Sequence, residues 1–334
     1  MFYNLFKAPA IIKTGDGTLR KIDELLHAAH LYFPKKILVT QENLYGEYGE
    51  DLLKNTFSEV VFVKGGSLDE ADYLSGKIKE RDALVLAFGG GSVLDIVKYC
   101  ASRSDVPYVT VPSALSNDAV YSCVARLTVD GKKKSFGVQP PIGIVVDFGV
   151  IRKSPKILLL AGVADIVSNL SALKDWKLAH KNIGEPINEL AYMLSKESVE
   201  PLLKYHGEDV IFGDEFLYDL TNAIVTSGLA MIIAGNTRVS SGAEHLISHA
   251  IDEYFPERST IHGLQVGWAH LLVEKKYRKG GEYGMLKNFF DGIGLTRAIA
   301  ENIKFSEDEF SGLVPFAMKV RNRYTVFTAL TNGD

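Results

Sequence analysis

The stretch Ala83-Leu84-Val85-Leu86-Ala87-Phe88-Gly89-Gly90-Gly91-Ser92 decides how the rest of the chain is read. Six apolar residues in a row suit a strand buried on both faces, and they run into three glycines. A helical pattern then follows over residues 93–101. Glycines let a backbone approach a ligand without Cβ atoms in the way. The helix start beyond them offers free N–H groups and a positive dipole end, a seat for a pyrophosphate. Ser92 and Asp95, three apart, also fit a capping box. The spacing is neither a G-x-G-x-x-G after the first strand nor a Walker A loop, so the strict fingerprints are not met.

Working outward, apolar strands at residues 36–40 and 59–63 precede the glycine turn, with helices expected over 44–55 and 68–81. Another strand is expected at 107–112. Buried strands alternating with helical crossovers predict a parallel sheet covered on both faces. Residues 123–129 then run into Asp130-Gly131, a strong hairpin signal, and Lys132-Lys133-Lys134 at its tip reads as a solvated turn. One more strand is expected at 142–147. Ser154-Pro155 marks a change of regime, and beyond it nearly every segment is helical in pattern. The expected organisation is an α/β domain over residues 1–153 and a helical domain over 154–334, with a cleft between them. The tail from 328 to 334 is expected to fray.

The chain has 334 residues, 46% hydrophobic and 23% charged. At about 150 residues per domain this suits two globular domains and excludes a disordered chain. Lys and Arg number 37 against 41 Asp and Glu, a net of −4, so no nucleic-acid partner is expected. The first seven residues do not read as a signal peptide, and no continuous apolar run approaches the ~18 residues of a membrane span. Two cysteines, Cys100 and Cys123, give no disulfide framework, which points to a reducing, cytoplasmic setting.

Three further clusters invite chemistry. Pro112-Ser113-Ala114-Leu115-Ser116-Asn117-Asp118 follows the carboxyl end of a parallel strand, where ligands of such sheets bind. Its hydroxyls and carboxylate suit an amide, a ribose or a substrate hydroxyl, or simply the loop's own backbone. Four of eight histidines (His245, His249, His262, His270) fall within 26 residues. His245 and His249 share a helical face. A His-Glu-x-x-His hydrolase site is not supported, because Glu244 precedes His245. Two histidines with a distant carboxylate would make a three-ligand metal site, and ordinary polar packing accounts for the pattern as well. Asp165, an acid amid apolar residues, is the carboxylate candidate or else a helix cap.

The blocks around Phe88–Lys98, Pro112–Asp118 and Gly162–Asp165, with Ser241-Gly-Ala-Glu-His245-Leu-Ile-Ser-His249 and His262-Gly-Leu-Gln-Val-Gly267, stand in the order of one superfamily. The chain resembles the iron-type alcohol dehydrogenases, glycerol dehydrogenases and dehydroquinate synthases, and within them most resembles the sn-glycerol-1-phosphate dehydrogenases. Asn117 and Leu264 depart from the commoner Ser-His-Asp-Gly and His-Gly-Glu-Gln blocks. The resemblance implies a dehydroquinate synthase-like fold, a Rossmann-like dinucleotide-binding domain followed by an all-helical metal-binding domain. It implies NAD or NADP at Gly89, Gly90, Gly91, Ser92, Asp95, Ser113, Ser116, Asp118 and Ser122. A metal, usually zinc, falls to Asp165, His245 and His262, with His249 and Asp118 as catalytic residues in the interdomain cleft.

The chemistry implied is metal-dependent hydride transfer between dihydroxyacetone phosphate and sn-glycerol 1-phosphate. A free polyol such as glycerol, or a cyclase reaction of dehydroquinate synthase type, are the alternatives. His249 would relay a proton, oriented by Asp252. Zinc with Asp165 and two neutral histidines carries a net charge of +1. Arg238, seven residues before His245, and Lys98 are the candidate cations for a phosphate. The expected partner is a small-molecule polyol or polyol phosphate, with no membrane partner, in a homo-oligomer.

Overall fold

The computed structural model describes residues 8–78, 83–279 and 281–333. Residues 1–7 and the end of the helix expected over 68–81 lie outside the described set; its described part is Leu68–Lys77. The chain divides after Pro155, and Ser116–Asp118 group with the second unit.

Among the described residues the first unit carries eight strands: β1 (Ile11–Gly15), β2 (Lys35–Thr40), β3 (Glu59–Phe62), β4 (Ala83–Gly89), β5 (Tyr108–Pro112), β6 (Val124–Val129), β7 (Lys132–Gly137) and β8 (Gly143–Asp147). Six form a parallel sheet in the order β1-β8-β5-β4-β2-β3. Every residue of β4, β5 and β8 is buried, which is why these strands read as unbroken apolar runs. Leu84, Leu86 and Phe88 alternate onto one face with Ile22, Leu26 and Leu52, and Phe88 meets Tyr48 edge-to-face at 5.7 Å. The strand β1 has no counterpart in the sequence reading. It is an edge strand with Ile11 as its one buried residue, so it lacks the apolar run that marks the others.

From β2 the chain moves outward to β3, then returns to β4 on the other side of β2 and continues to β5. The strand order therefore reverses between β2 and β4, and a ligand crevice is expected beyond their carboxyl ends. The Gly89-Gly90-Gly91 turn leaves β4 at this point and opens the helix Gly91–Ser104. A Cβ on Gly89 would lie 2.6 Å from Val93 Cγ2, so this strand-to-helix corner closes only with glycine. The β6–β7 hairpin turns at Asp130 and Gly131 with φ of 51° and 76°, values the left-handed turn demands. Thr128 N donates to Gly66 O at 2.6 Å and docks the hairpin beside the loop after β3.

Among the described residues the second unit is helical throughout. The helix Lys156–Val167 is apolar on all sides and buried from Leu159 onward, as a central helix must be. Two spans, Lys156–Ile183 and Asp214–Ala234, are long and apolar enough to cross a membrane by length and composition. The fold buries 78% and 61% of their apolar windows, so they serve as core helices. The tail expected to fray is helical where it is described. Residues Val326–Asn332 form a helix because Val326, Phe327 and Ala329 find burial, with Phe327 packed on Tyr277 at 5.2 Å.

Candidate metal centre and dinucleotide loop

Asp165 lies in the last turn of Lys156–Val167, His245 in the first turn of Ala243–Tyr254, and His262 opens His262–Tyr277. Glycine sets their meeting point. A Cβ on Gly263 would sit 2.1 Å from Ala161 O, and one on Gly267 would sit 2.8 Å from Ala164 Cβ. The two backbones therefore touch, and His262 is carried against Asp165. One donor atom from each of Asp165, His245 and His262 falls within 4.8 Å of the others. Asp165 Oδ1 stands 3.3 Å from His245 Nε2 and 3.8 Å from His262 Nε2.

That oxygen is buried yet has no partner in hydrogen-bond geometry, while Oδ2 accepts from the Asp118 backbone N–H at 3.2 Å. Tetrahedral bonds of about 2.0–2.1 Å place ligand atoms about 3.3 Å apart. Two imidazoles, one carboxylate and this spacing fit a divalent ion with an open position.

Both histidines are held from behind. His245 Nδ1 meets Glu244 Oε1 at 3.0 Å; Glu244 also accepts from Gly242 N at 2.6 Å and from Ser171 Oγ at 2.5 Å. His262 Nδ1 meets Ser248 Oγ at 2.8 Å. Gln265 Nε2 donates to that Ser248 oxygen at 3.0 Å, and Gln265 Oε1 accepts from Thr260 N at 2.8 Å. Outer contacts of this kind leave Nε2 of each ring for a metal.

Burial is the largest influence on Asp165 and Glu244 and favours their neutral forms, but it is overcome. His245, His262 and the Asp118 N–H hold Asp165 low, and His245 and Ser171 bring Glu244 to about 2. His245 is pulled up to about 9 against its burial by the two carboxylates. A second anion thus stands behind the ligands. The ligand set with a divalent ion would still carry +1, and Glu244, counted with it, would bring the surroundings to neutrality.

His249 borders the same space, stacked on His262 with centroids 5.8 Å apart and edge-on to His245 at 6.1 Å. Asp252 Oδ1 accepts from Ser259 Oγ at 2.6 Å and Gln265 Nε2 at 3.1 Å. His270, the fourth histidine of the cluster, is fully buried elsewhere and is no ligand.

In the first unit, Gly90 and not Ser92 caps the helix Gly91–Ser104, so the Ser92–Asp95 capping box is not formed. Asp95 instead pairs with Lys98 at 3.3 Å and accepts from Arg126 N at 3.1 Å, fixing the hairpin. Ser113 N donates to Gly89 O at 2.9 Å, which brings this serine to the glycine turn. Ser122 is buried, accepts from Lys98 Nζ at 2.8 Å and donates to Val124 O at 3.2 Å. A Cβ on Gly66 would lie 3.6 Å from both Lys133 Nζ and Ser92 Cβ, so one hairpin lysine and Ser92 both border Gly66. Ser116 and Asp118 belong to the second unit.

Sequence reading missed Glu244, Ser171, Ser248 and Gln265. Only Glu244, adjacent in sequence to His245, carried a local signal; Ser171 reaches Glu244 across 73 positions, and Ser248 and Gln265 act across the gap between two helices, which no local spacing reports.

Residues 13–155 match the family model described as iron-containing alcohol dehydrogenase. The chain is 33% identical over 280 residues to glycerol-1-phosphate dehydrogenase (NAD(P)+) of Pyrococcus furiosus, covering 82% of this chain and 80% of that protein. It is 30% identical over 329 residues to the Pyrococcus abyssi protein of the same description, covering 97% and 94%. Among solved structures, a probable glycerol dehydrogenase from Sinorhizobium meliloti superposes with a TM-score of 0.72 at 18% identity, covering 96% and 91%. An iron-containing alcohol dehydrogenase from Corynebacterium glutamicum gives 0.73 at 14%, covering 98% and 92%. At these identities the two structures speak for the fold alone.

Proposed function

Because the chain belongs to the glycerol-1-phosphate dehydrogenase family, within the iron-containing alcohol dehydrogenases, we propose that it interconverts dihydroxyacetone phosphate and sn-glycerol 1-phosphate. It is a metal-associated, NAD(P)-linked oxidoreductase. The observation that carries the reading is the convergence of Asp165 Oδ1, His245 Nε2 and His262 Nε2 on one point, each histidine backed by its own partner.

Asp165, His245 and His262 would hold the ion, and we assign zinc, which outranks ferrous iron at such a donor set. The chemistry that the ion supplies when bound is Lewis-acid polarisation of the substrate carbonyl, and the nicotinamide supplies the hydride. Glu244 and Ser248 keep the ligand rings aligned. His249 passes a proton between the substrate oxygen and solvent. Gly89, Gly90, Gly91, Ser92 and Ser113 seat the dinucleotide phosphates at the helix start, while Asp118, through its backbone, braces Asp165. Gln41 follows β2, where an acid would select NAD and an arginine NADP, so we expect both cofactors to serve. Two cysteines with no disulfide between them suit a cytoplasmic enzyme, and we read it as a homo-oligomer.

One observation favours a second reading, a dehydrogenase of the free polyol: both cations nominated for a phosphate are engaged. Arg238 forks onto Glu185, with Nε to Oε1 at 2.6 Å. Lys98 uses its three N–H groups on Asp95, Ser122 and Val124 O. Oxidation of NADH and NADPH by zinc-loaded protein, with dihydroxyacetone phosphate and dihydroxyacetone in parallel, separates the two. Preference for the phosphorylated ketone is expected; equal or better use of the free ketone would install the second reading.

A further inference from the structure

Behind the metal centre lies a buried cluster of charges that the proposed reaction does not use. Arg278 follows the helix His262–Tyr277, so the helix that begins with His262 ends at this arginine. Its Nη1 donates to Ser171 Oγ at 2.8 Å and to Glu274 Oε1 at 2.9 Å. Its Nη2 donates to Asp175 Oδ1 at 2.6 Å and to Ser171 O at 3.1 Å. Glu274 is shared with Lys174 at 2.8 Å. Burial opposes the charge on Arg278, and Asp175, Glu274 and Glu244 more than restore it.

Two lines run from Arg278 to the first turn of Ala243–Tyr254. One is Asp175, whose Oδ2 accepts from Ala243 N at 2.7 Å while Oδ1 accepts from Val326 N at 3.0 Å. The other is Ser171, whose hydroxyl meets Glu244 Oε2 at 2.5 Å. A Cβ on Gly242 would lie 2.7 Å from Asp175 Oδ2 and 2.9 Å from Glu244 Oε2, so only glycine lets both carboxylates close on this turn.

Donor chemistry places the protons along the second line. A guanidinium only donates, so Ser171 Oγ accepts from Arg278 and its single proton goes to Glu244. Glu244 Oε1 accepts from Gly242 N at 2.6 Å, and a carboxylate makes His245 Nδ1 the donor across their 3.0 Å contact. His245 Nε2, 3.3 Å from Asp165 Oδ1, is then the nitrogen left for a metal. Arg323 also bears on Glu244 through its charge, while donating to Thr237 and Ser241.

We propose that Ser171 and Arg278 are positioning residues for the metal centre: through Glu244 they hold the His245 proton on Nδ1 and present Nε2 to the ion. The proposal rests on the metal-centre reading above. A brace that serves only the fold makes a different forecast: lower stability with zinc affinity untouched, or an affinity loss indifferent to Glu244.

The test is a double-mutant cycle on zinc affinity, read by competition against a chelator. It compares wild type, Ser171→Ala, Glu244→Gln and the double variant, with Arg278→Lys beside them. Thermal melts of the metal-free proteins follow stability separately. Ser171→Ala is expected to weaken zinc binding roughly tenfold, and Arg278→Lys to do the same, because an ammonium cannot reproduce the fork. In the Glu244→Gln background, loss of the Ser171 hydroxyl should change affinity by less than about twofold. If Ser171→Ala does not fold, Ser171→Cys, with its weaker donor, takes its place. Unchanged affinity in either single variant, or equal losses with and without the Glu244 carboxylate, overturns the relay and leaves the metal centre standing. A wild type that binds no zinc overturns both.

Discussion

Two buried side chains, Glu244 behind His245 and His270 further along the helix His262–Tyr277, lend themselves to separate tests. Glu244 is fully buried and touches His245, and its charge would offset that of an ion bound there. Glu244→Gln keeps the shape and removes the charge. Zinc affinity is expected to drop about tenfold to a hundredfold, read by competition against a chelator of known strength; an unchanged affinity would remove Glu244 from the centre. His270 is fully buried with neither ring nitrogen bonded, and burial lowers it to about 4. Above pH ~6.5 the ring is neutral folded or unfolded, so it contributes no pH dependence there. As pH falls from ~6.5 towards 4, only the unfolded chain takes the proton, and stability declines, by about 2 kcal/mol at pH 5. His270→Gln should therefore lose less stability than wild type between pH 7 and 5 in urea melts; equal losses would contradict this. At this scale the convergence of Asp165, His245 and His262 was legible because their motifs stand in the sequence. Arg238 was misjudged because its partner, Glu185, lies 53 positions away and only folding brings it there.

Helix contact, more than helix propensity, brings Asp165, His245 and His262 together. Gly263 lets His262–Tyr277 lie on the Ala161 carbonyl, and that contact aligns His262 with Asp165. Gly263→Ala must separate the helices, at a cost of about 3 kcal/mol or more, and zinc content should fall with it. Gly284, in the helix Tyr283–Gly292, has nothing within 4 Å of an added Cβ. Gly284→Ala is expected to be neutral or stabilising by up to about 1 kcal/mol. Thermal melts with metal analysis check the pair, and a benign Gly263→Ala would refute the close-contact explanation. Central strands were readable because burial on both faces makes them continuously apolar. The edge strand β1 and the helix Val326–Asn332 were not, because one needs a single buried residue and the other is stabilised by distant partners such as Tyr277.

At the scale of the whole chain, the sequence shows a sheet-bearing first half and a helical second half because hydrophobic periodicity changes near Ser154-Pro155. The reversal of strand order between β2 and β4, beyond whose carboxyl ends a crevice is expected, is a property of topology that no local pattern reports. The same holds for the return of residues 321–325 to the loop before His245. The central claim is that Asp165, His245 and His262 hold an ion on which reduction of dihydroxyacetone phosphate depends. Its most direct test is NADH oxidation with that ketone by one preparation as loaded with zinc, after stripping with EDTA, and after zinc is returned. The rate should vanish on stripping and recover on reloading, with one zinc bound per chain. A stripped protein that keeps its rate, or a fully loaded one that never oxidises the cofactor, would contradict the claim.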